Sequence, residues 1–338
     1  MRNADYMIVA NGVDITAKIR DRLVSLSLHD AAGIESDTVT IELDNRDNAI
    51  ALPPRGAALR VWIGPEGGLV FKGVYEVDEL EEPLDDEALV IHGKAAKMSS
   101  SFKAPRDRTY DDITLGELVR QIAEAHGYEP AVAEALAGIV FEHIDQRGES
   151  DMNLLTRLAR DHDAVAKPVA DKLAVVLKAA SESVSGKPLP SLVIGDPENS
   201  AGRVTITGEN EYQSVIAYWF DEDKQERVKV RDGRGEPEYT IRQTYKDEDA
   251  AKAAARSKRG QLQRTTSQLE LTRPLTPGIV PESELVLVGH KASANRVWLV
   301  ETADHVIKPG AVAYTTASCA IPGEQEQPAD DDEDAEGQ

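Results

Sequence analysis

The sequence predicts an α+β chain that is mainly β, with two antiparallel β-barrel domains and a small α+β domain inserted between them. Three observations carry this. Apolar and polar residues alternate with a period of two through the first hundred residues and again from about residue 190. Helical spacing with capping signals is confined to the stretch between them and to one later segment. The two alternating regions also echo each other near their ends.

In the first region Val24, Leu26 and Leu28 alternate with Ser25 and Ser27, and Val39, Ile41 and Leu43 with Thr40 and Glu42. Leu59, Val61 and Ile63 form a third run, Val74 and Val77 a fourth with a one-residue phase slip, and Leu89 and Ile91 close the set. Gly33, Pro53-Pro54, Gly64-Pro65 with Gly67-Gly68, and Pro83 with Asp85-Asp86 supply the turns between them. A barrel or a sandwich is the expected result, with one face packed and the other open.

The register then becomes helical. Thr114 to Glu117 has the capping-box pattern, Leu115, Leu118, Val119 and Ile122 make one apolar face, and His126-Gly127 with Pro130 beyond is a stop. A second helix starts at Ser150 or Asp151 and turns Met152, Leu155, Leu158 and Ala159 one way. A hairpin follows, Ala164 to Lys167 and Leu173 to Leu177, turning through Ala170-Asp171-Lys172. The predicted division is 1–100 for the first β domain, 101–188 for the inserted α+β domain, 189–322 for the second β domain and 323–338 for an acidic tail.

In the second β region the strand candidates are Val204 and Ile206, Ser214 to Phe220, Val228 and Val230, Leu269 and Leu271, Leu285 to Val288, Val297 to Val300, and Ala311 to Ser318. One helix interrupts them, about Asp247 to Arg264, with an acidic start and a basic end that complement its dipole. The echo sets LRVWIG, GVYEVDELEEP and ALVIHG beside ELVLVGH, RVWLVETADHVIKPG and AVAYTTASC. Each half has a strand, a glycine loop, a strand with an aromatic (Tyr75 or Trp298) between valines, an acidic stretch and a final strand. Either one small barrel has been duplicated, or two meanders resemble each other as meanders do. If it is a duplication, a ring of three chains presents six quasi-equivalent units.

Composition excludes several classes. Apolar residues are 41% and charged residues 29%, a globular balance, and no apolar run approaches the roughly 20 residues that span a bilayer. The N-terminal stretch MRNADYMIVANGVD has no long apolar run or small-residue cleavage site, so the expectation is a chain made and folded in a cytoplasm. The net charge is −22. Part of it crowds Glu324, Glu326, Asp330 to Asp334 and Glu336, next to Pro328, where a disordered tail is expected. The remaining excess argues against tight nucleic-acid binding, which needs clustered lysine and arginine on phosphates.

No catalytic, cofactor or metal site is predicted. Cys319 is the only cysteine, so there is no intrachain disulfide, and it reads as a half-buried strand residue rather than a nucleophile. Histidines 29, 92, 126, 143, 162, 290 and 305 include no pair with i, i+4 zinc spacing, and HEXXH is absent. Asp161-His162-Asp163 is the best metal-like trio, but it reads as a solvated helix C-terminus with a partly protonated histidine facing the dipole. Asp44 with Asp47, or Glu149 with Asp151, has the chemistry of a glycosidase dyad; among sixty acids such pairs arise by chance, and Asp151 reads as a first-turn helix residue. The RDGRG run at 231–235 lacks a GxGxxG fingerprint and a P-loop lysine and reads as a hairpin turn. There is no GxSxG serine.

The central stretch resembles the phage late control protein D family. The resemblance is carried by the TLGELVRQIA helix, His126-Gly127, Asp145-Gln146, Glu149-Ser150-Asp151 and the LLTRLARDHDAVAKPVADKL helix and hairpin. Upstream, ITAKIRDRLVSLSLHDAAGIESDTVTIELDN and GLVFKGVYEVDELE fit the same family, as do Tyr245 to Leu271 and the final strands downstream, so it covers about residues 5 to 320. The resemblance implies the baseplate hub of a contractile tail, similar to the N-terminal hub part of type VI secretion spike proteins. It further implies tube-like β-barrel domains and a homotrimer that adapts a hexameric tail tube to a trimeric central spike. The inserted domain would lie outside the ring and hold neighbouring baseplate proteins. The implied partners are the tail tube ring, the central spike, other baseplate proteins and the tape measure protein, in a virion tail assembled in the host cytoplasm. DNA would pass through the lumen without specific binding or membrane insertion of the protein, so the lumen wall is expected to be acidic or neutral. Nothing in the sequence resembles an appended lysozyme or a spike β-helix, so those functions are expected on other chains. The alternative of a different class is a tail-associated cell-wall hydrolase or peptidoglycan-binding module.

Overall fold

A computed structural model of the chain describes residues 3–32, 37–95, 100–169, 172–177, 191–208, 212–221 and 224–322. The Gly33 turn, the tip of the 164–177 hairpin and the acidic tail lie outside the described residues.

The first region contains β1 (Ala4–Ala10), β2 (Val13–Asp14), α1 (Thr16–Ile19), β3 (Leu23–Ala31), β4 (Thr38–Asp44), β5 (Ala58–Pro65), β6 (Val70–Glu81) and β7 (Ala88–Ala95). The strands β5, β6 and β7 form an antiparallel meander, with β4 and β3 continuing from β7 and β1 pairing with β5. Val39, Ile41, Leu43, Leu59, Val61, Ile63, Leu89 and Ile91 all point into one core, as period-two alternation dictates. Two expected positions are corrected. The ladder of β3 with β4 slips between Leu23 and Ser25, and this bulge turns Val24 out to 44% exposure and puts Leu23, Leu26 and Leu28 in the core. In β6 the inward residues are Tyr75 and Val77, in plain alternation, and Val74 faces outward.

The insertion contains α2 (Ser100–Lys103), β8 (Pro105–Thr114), α3 (Leu115–His126), β9 (Glu129–Val132), α4 (Glu134–Ala137), β10 (Val140–Ser150), α5 (Asp151–Asp161), β11 (Ala164–Val169) and β12 (Lys172–Leu177). The Thr114 hydroxyl accepts from the Glu117 N–H at 3.1 Å and Gly127 closes α3 at φ +74°, the left-handed conformation glycine adopts without steric cost. Ser150 caps α5 by accepting from Asn153 N–H. The buried face of α5 is Leu154, Leu155, Leu158 and Ala159, with Met152 at its margin. The α3 and α5 faces pack with the β9–β12–β11 sheet into a second core.

The last region contains β13 (Leu192–Ile194), β14 (Ala201–Ile206), β15 (Ser214–Asp221), β16 (Glu226–Gly233), β17 (Glu238–Tyr245), α6 (Glu248–Thr266), β18 (Ser267–Pro274), β19 (Glu284–Leu287), β20 (Val297–Ile307) and β21 (Tyr314–Ala320). Asp247 caps α6, whose first turn holds Glu248 and Asp249 and whose last holds Arg264. Helix α6 packs on a separate sheet of order β16-β15-β17 and forms its own core with Val215, Ala217 and Val230. Here the 231–235 run is corrected. Since β16 and β17 flank β15 on opposite sides, residues 231–235 end β16 and begin a crossover around the start of β15. No hairpin joins them.

The other strands join the first region in one 13-stranded sheet, ordered β14-β18-β21-β20-β3-β4-β7-β6-β5-β1-β2 with β19 and β13 branching from β20. Among the described residues the strand path is open at both ends. Its two halves share one order. The series β3, β4, β7, β6, β5, β1 matches β14, β18, β21, β20, β19, β13 strand for strand. The aromatics of the echo sit alike, Tyr75 opposite Leu59 and Trp298 opposite Leu285, and both are fully buried. The halves differ in that β1 is antiparallel to its neighbour and β13 parallel, and that β15, β16, β17 and α6 interrupt the second.

Candidate assembly interface

The two halves meet on β20. Its first residues, Val297 to Leu299, pair with β19, and its last, Thr302 to Ile307, pair with Ala31 to Leu26 of β3. A register slip between Val300 and Thr302 places a bulge at Glu301, which bends the strand and lets it change partners. The Ala32 N–H donates to the Glu301 carbonyl at 2.7 Å and starts the new ladder. On its outer side His29 Nδ1 lies 2.7 Å from Asp304 Oδ1, directly across the strands.

Behind this ladder lies a buried polar cluster. Lys72 Nζ is 2.6 Å from Asp30 Oδ2 and 3.0 Å from His305 Nε2, and the lysine and aspartate side chains are only 3% and 9% exposed. An ammonium can only donate, so Nε2 accepts and the imidazole proton sits on Nδ1, which donates to Thr315 Oγ1 at 2.9 Å. Burial first, and the Lys72 charge second, hold His305 down to about 3. Burial pushes the Asp30 carboxyl above the usual carboxylate range, against the pull of Lys72. Sequence reasoning missed this cluster. Its signal was present, because Asp30 continues the inward phase of Leu26 and Leu28, and His305 lies between the inward-facing Ala303 and Ile307.

A second buried cluster organises the insertion. Asp151, fully buried at the start of α5, accepts from Gln146 Nε2 at 2.8 Å and faces His126 Nε2 at 2.8 Å. Arg106 lies 3.3 Å away and Arg108 3.7 Å. Gln146 also donates to the Glu149 carbonyl at 2.9 Å, and the Phe102 ring stands edge-on to His126. His126, Gln146 and Asp151 come from the motif pieces quoted above, and the fold brings them together. The insertion is tied to the sheet by Lys167, which donates to the Ala31 carbonyl and to Asp37, each at 2.7 Å. It is tied to α6 and β17 by the Arg264–Asp163 pair, by Gln261 donating to the Arg160 carbonyl, and by Lys246 with Glu142 at 2.9 Å.

The other sequence candidates fall apart as chemistry. Cys319 is buried in β21, where burial pushes its thiol up to about 12, so a thiolate is strongly disfavoured. His162 is held below its ordinary range by burial against Phe141, which corrects the expectation of a partly protonated ring. Asp163 turns to Arg264, and no cluster of metal-ligating side chains occurs among the described residues. Asp44 pairs with Arg46 at 2.8 Å, while Glu149 turns from Asp151 to Arg157 at 2.8 Å. The groove of about 720 Å³ beside β1 and the 308–313 turn has one lining carboxylate, Asp5, which pairs with Arg20 at 3.2 Å. A glycosidase needs two carboxyl groups across the bond it cleaves.

The fold is one shared with solved tail proteins. A 43 kDa tail protein of prophage MuSo2 from Shewanella oneidensis superposes with a TM-score of 0.68 at 16% identity, over 95% of this chain and 99% of that one. A tail protein of Neisseria meningitidis gives 0.66 at 12% identity, over 94% and 96%. An Escherichia coli type VI secretion component gives 0.56 at 10%, over 90% and 76%. The chain belongs to the phage tail baseplate hub (GPD) family, whose model matches residues 37–311. It is 36% identical to the probable baseplate hub proteins of Escherichia phages 186 and P2, over 216 and 217 residues, 64% of this chain and 56% of each of theirs. The match thus spans little more than half the length of those relatives.

Proposed function

We propose that three copies of this chain form a ring that adapts the hexameric tail tube to the trimeric central spike. The observation that carries the reading is the repeated strand order. One chain offers two alike units, so three chains offer six to a tube while keeping a threefold axis for a spike. On this reading residues 1–100 and 189–322 are the two ring domains, with the β15–β17 and α6 unit an outgrowth of the second. Residues 101–188 lie outside the ring and hold neighbouring baseplate proteins; the tape measure protein is a further partner. The −22 net charge supports a lumen through which DNA slides without specific binding. Sedimentation of the purified chain, followed by imaging with and without tail tube protein, tests the reading. A trimer that caps tube rings is expected. A monomer at every concentration, or hydrolysis of peptidoglycan in a zymogram, would overturn it.

A further inference from the structure

We infer that the ring contact is a strand addition: β14 of one copy pairs antiparallel with the free half-edge of β6 in a second copy, in the register that β3 uses on β20 inside the chain. This rests on the ring reading above and names the surface that makes it.

The argument starts from the matched strands. In β6, Val77 N–H donates to the Ala57 carbonyl at 3.0 Å and the Val77 carbonyl accepts from Gly56 N–H at 2.8 Å. In β20, Val300 N–H donates to the Ser283 carbonyl at 3.0 Å and its carbonyl accepts from Glu282 N–H at 2.8 Å. Each strand then slips register by one residue, before Glu79 in β6 and before Thr302 in β20. Past that bulge the two differ in one respect. The end of β20 has β3 on its outer side, whereas Asp78 to Glu81 of β6 have β7 on one side and no strand on the other among the described residues.

The counterpart edge lies at the far end of the sheet path. Strand β14 occupies in its half the place of β3. Leu26 and Leu28 face Ile41 and Val39, while Gly202 and Val204 face Leu271 and Leu269. Its other edge carries no strand among the described residues, and Ile206 is 67% exposed. Transferring the β20–β3 register sets Ile206 opposite Leu80, as Asp30 is opposite Ala303, and Thr205 opposite Glu81, as His29 is opposite Asp304. Leu80 already packs on the first core, so Ile206 would bury its side chain there.

Charge permits the same pairing. The β6 half-edge carries Asp78, Glu79 and Glu81, followed by Glu82, and although Lys94 pairs with Asp78 and His92 lies 3.2 Å from Glu81, two such edges remain acidic and repel each other. The only charged residue of β14 is Arg203, which pairs with Glu270 of β18 at 2.8 Å, so β14 brings no like charge to that edge. The two edges differ, so contacts between copies run head to tail, the kind that forms a ring when the rotation from copy to copy closes, rather than stopping at a twofold dimer.

The test is a mixed disulfide. Chains carrying Leu80→Cys and chains carrying Ile206→Cys are mixed and oxidised under native conditions, where the buried Cys319 is silent. A covalent dimer from the mixture, but from neither variant alone nor from Leu80→Cys with Val193→Cys, is expected. Ile206→Glu, at a site too exposed to disturb folding and set against an acidic edge, should weaken self-association by about tenfold or more. An oligomer with no mixed disulfide and no response to Ile206→Glu sinks this contact and leaves the ring reading standing. A monomer at every concentration sinks both.

Discussion

Lys72, Asp30 and His305 join the two halves with groups that water would otherwise hold, and their ionisation sets a pH dependence. His305 titrates at about 3 when folded and at its ordinary value of 6.5 when unfolded. As pH falls from 6.5 towards 3 the unfolded chain takes up a proton that the folded one refuses, so stability falls, by at most about 1.4 kcal/mol per pH unit. The raised Asp30 carboxyl works in the opposite direction and partly offsets this. His305→Gln should therefore flatten the fall of Tm between these pH values; parallel curves for parent and variant would refute it. In the insertion, Asp151→Ala would leave Arg106 and Arg108 beside an emptied site, and a loss of about 3 kcal/mol in denaturant unfolding is expected. At this scale the sequence was least informative. Alternation tells which way a side chain points, but it does not say that a lysine from β6 meets an aspartate from β3.

Elements were far more legible, because each rests on local physics. The caps at Thr114 and Ser150, the αL glycine at 127 and the acidic start of α6 are all where their side chains dictate. Thr114→Ala and Ser150→Ala should each cost about 1 kcal/mol, read from thermal unfolding. What local pattern could not supply was the bulges. One extra residue moved Val24 out of the core, and the slip at Glu301 follows from pairing rather than from any residue type. The long β8–β10 pair also escaped notice, since in its sequences, PRDRTYDDIT and VFEHIDQRGES, the few core residues such as Ile113 and Ile144 are scattered among charged ones and set no clear alternation. The echoed aromatics offer a direct check. Trp298→Ala, emptying a fully buried site, should cost about 3–5 kcal/mol.

For the whole molecule the echo was readable, and the strand order it pointed to is repeated in both halves. The sequence could not say that the halves share one sheet, because that depends on β20 and β3, which are remote in the chain. Nor could it foresee that β16 and β17 lie apart, since a glycine-rich link between two strands suits a hairpin and a crossover equally well.

The double pairing of β20 also bears on the order of events during synthesis. His29 and Asp304 are neighbours across the junction yet lie 275 residues apart along the chain. When the first half leaves the ribosome, the outer edge of β3 has no native strand to meet until residues 302–307 follow. For that interval it is an open template, able to capture a strand from another nascent chain. Long-range ladders of this kind also form slowly, because the intervening loop must first be closed. The junction is thus a late step of folding, and the period before it closes is when the chain is most exposed to mispairing.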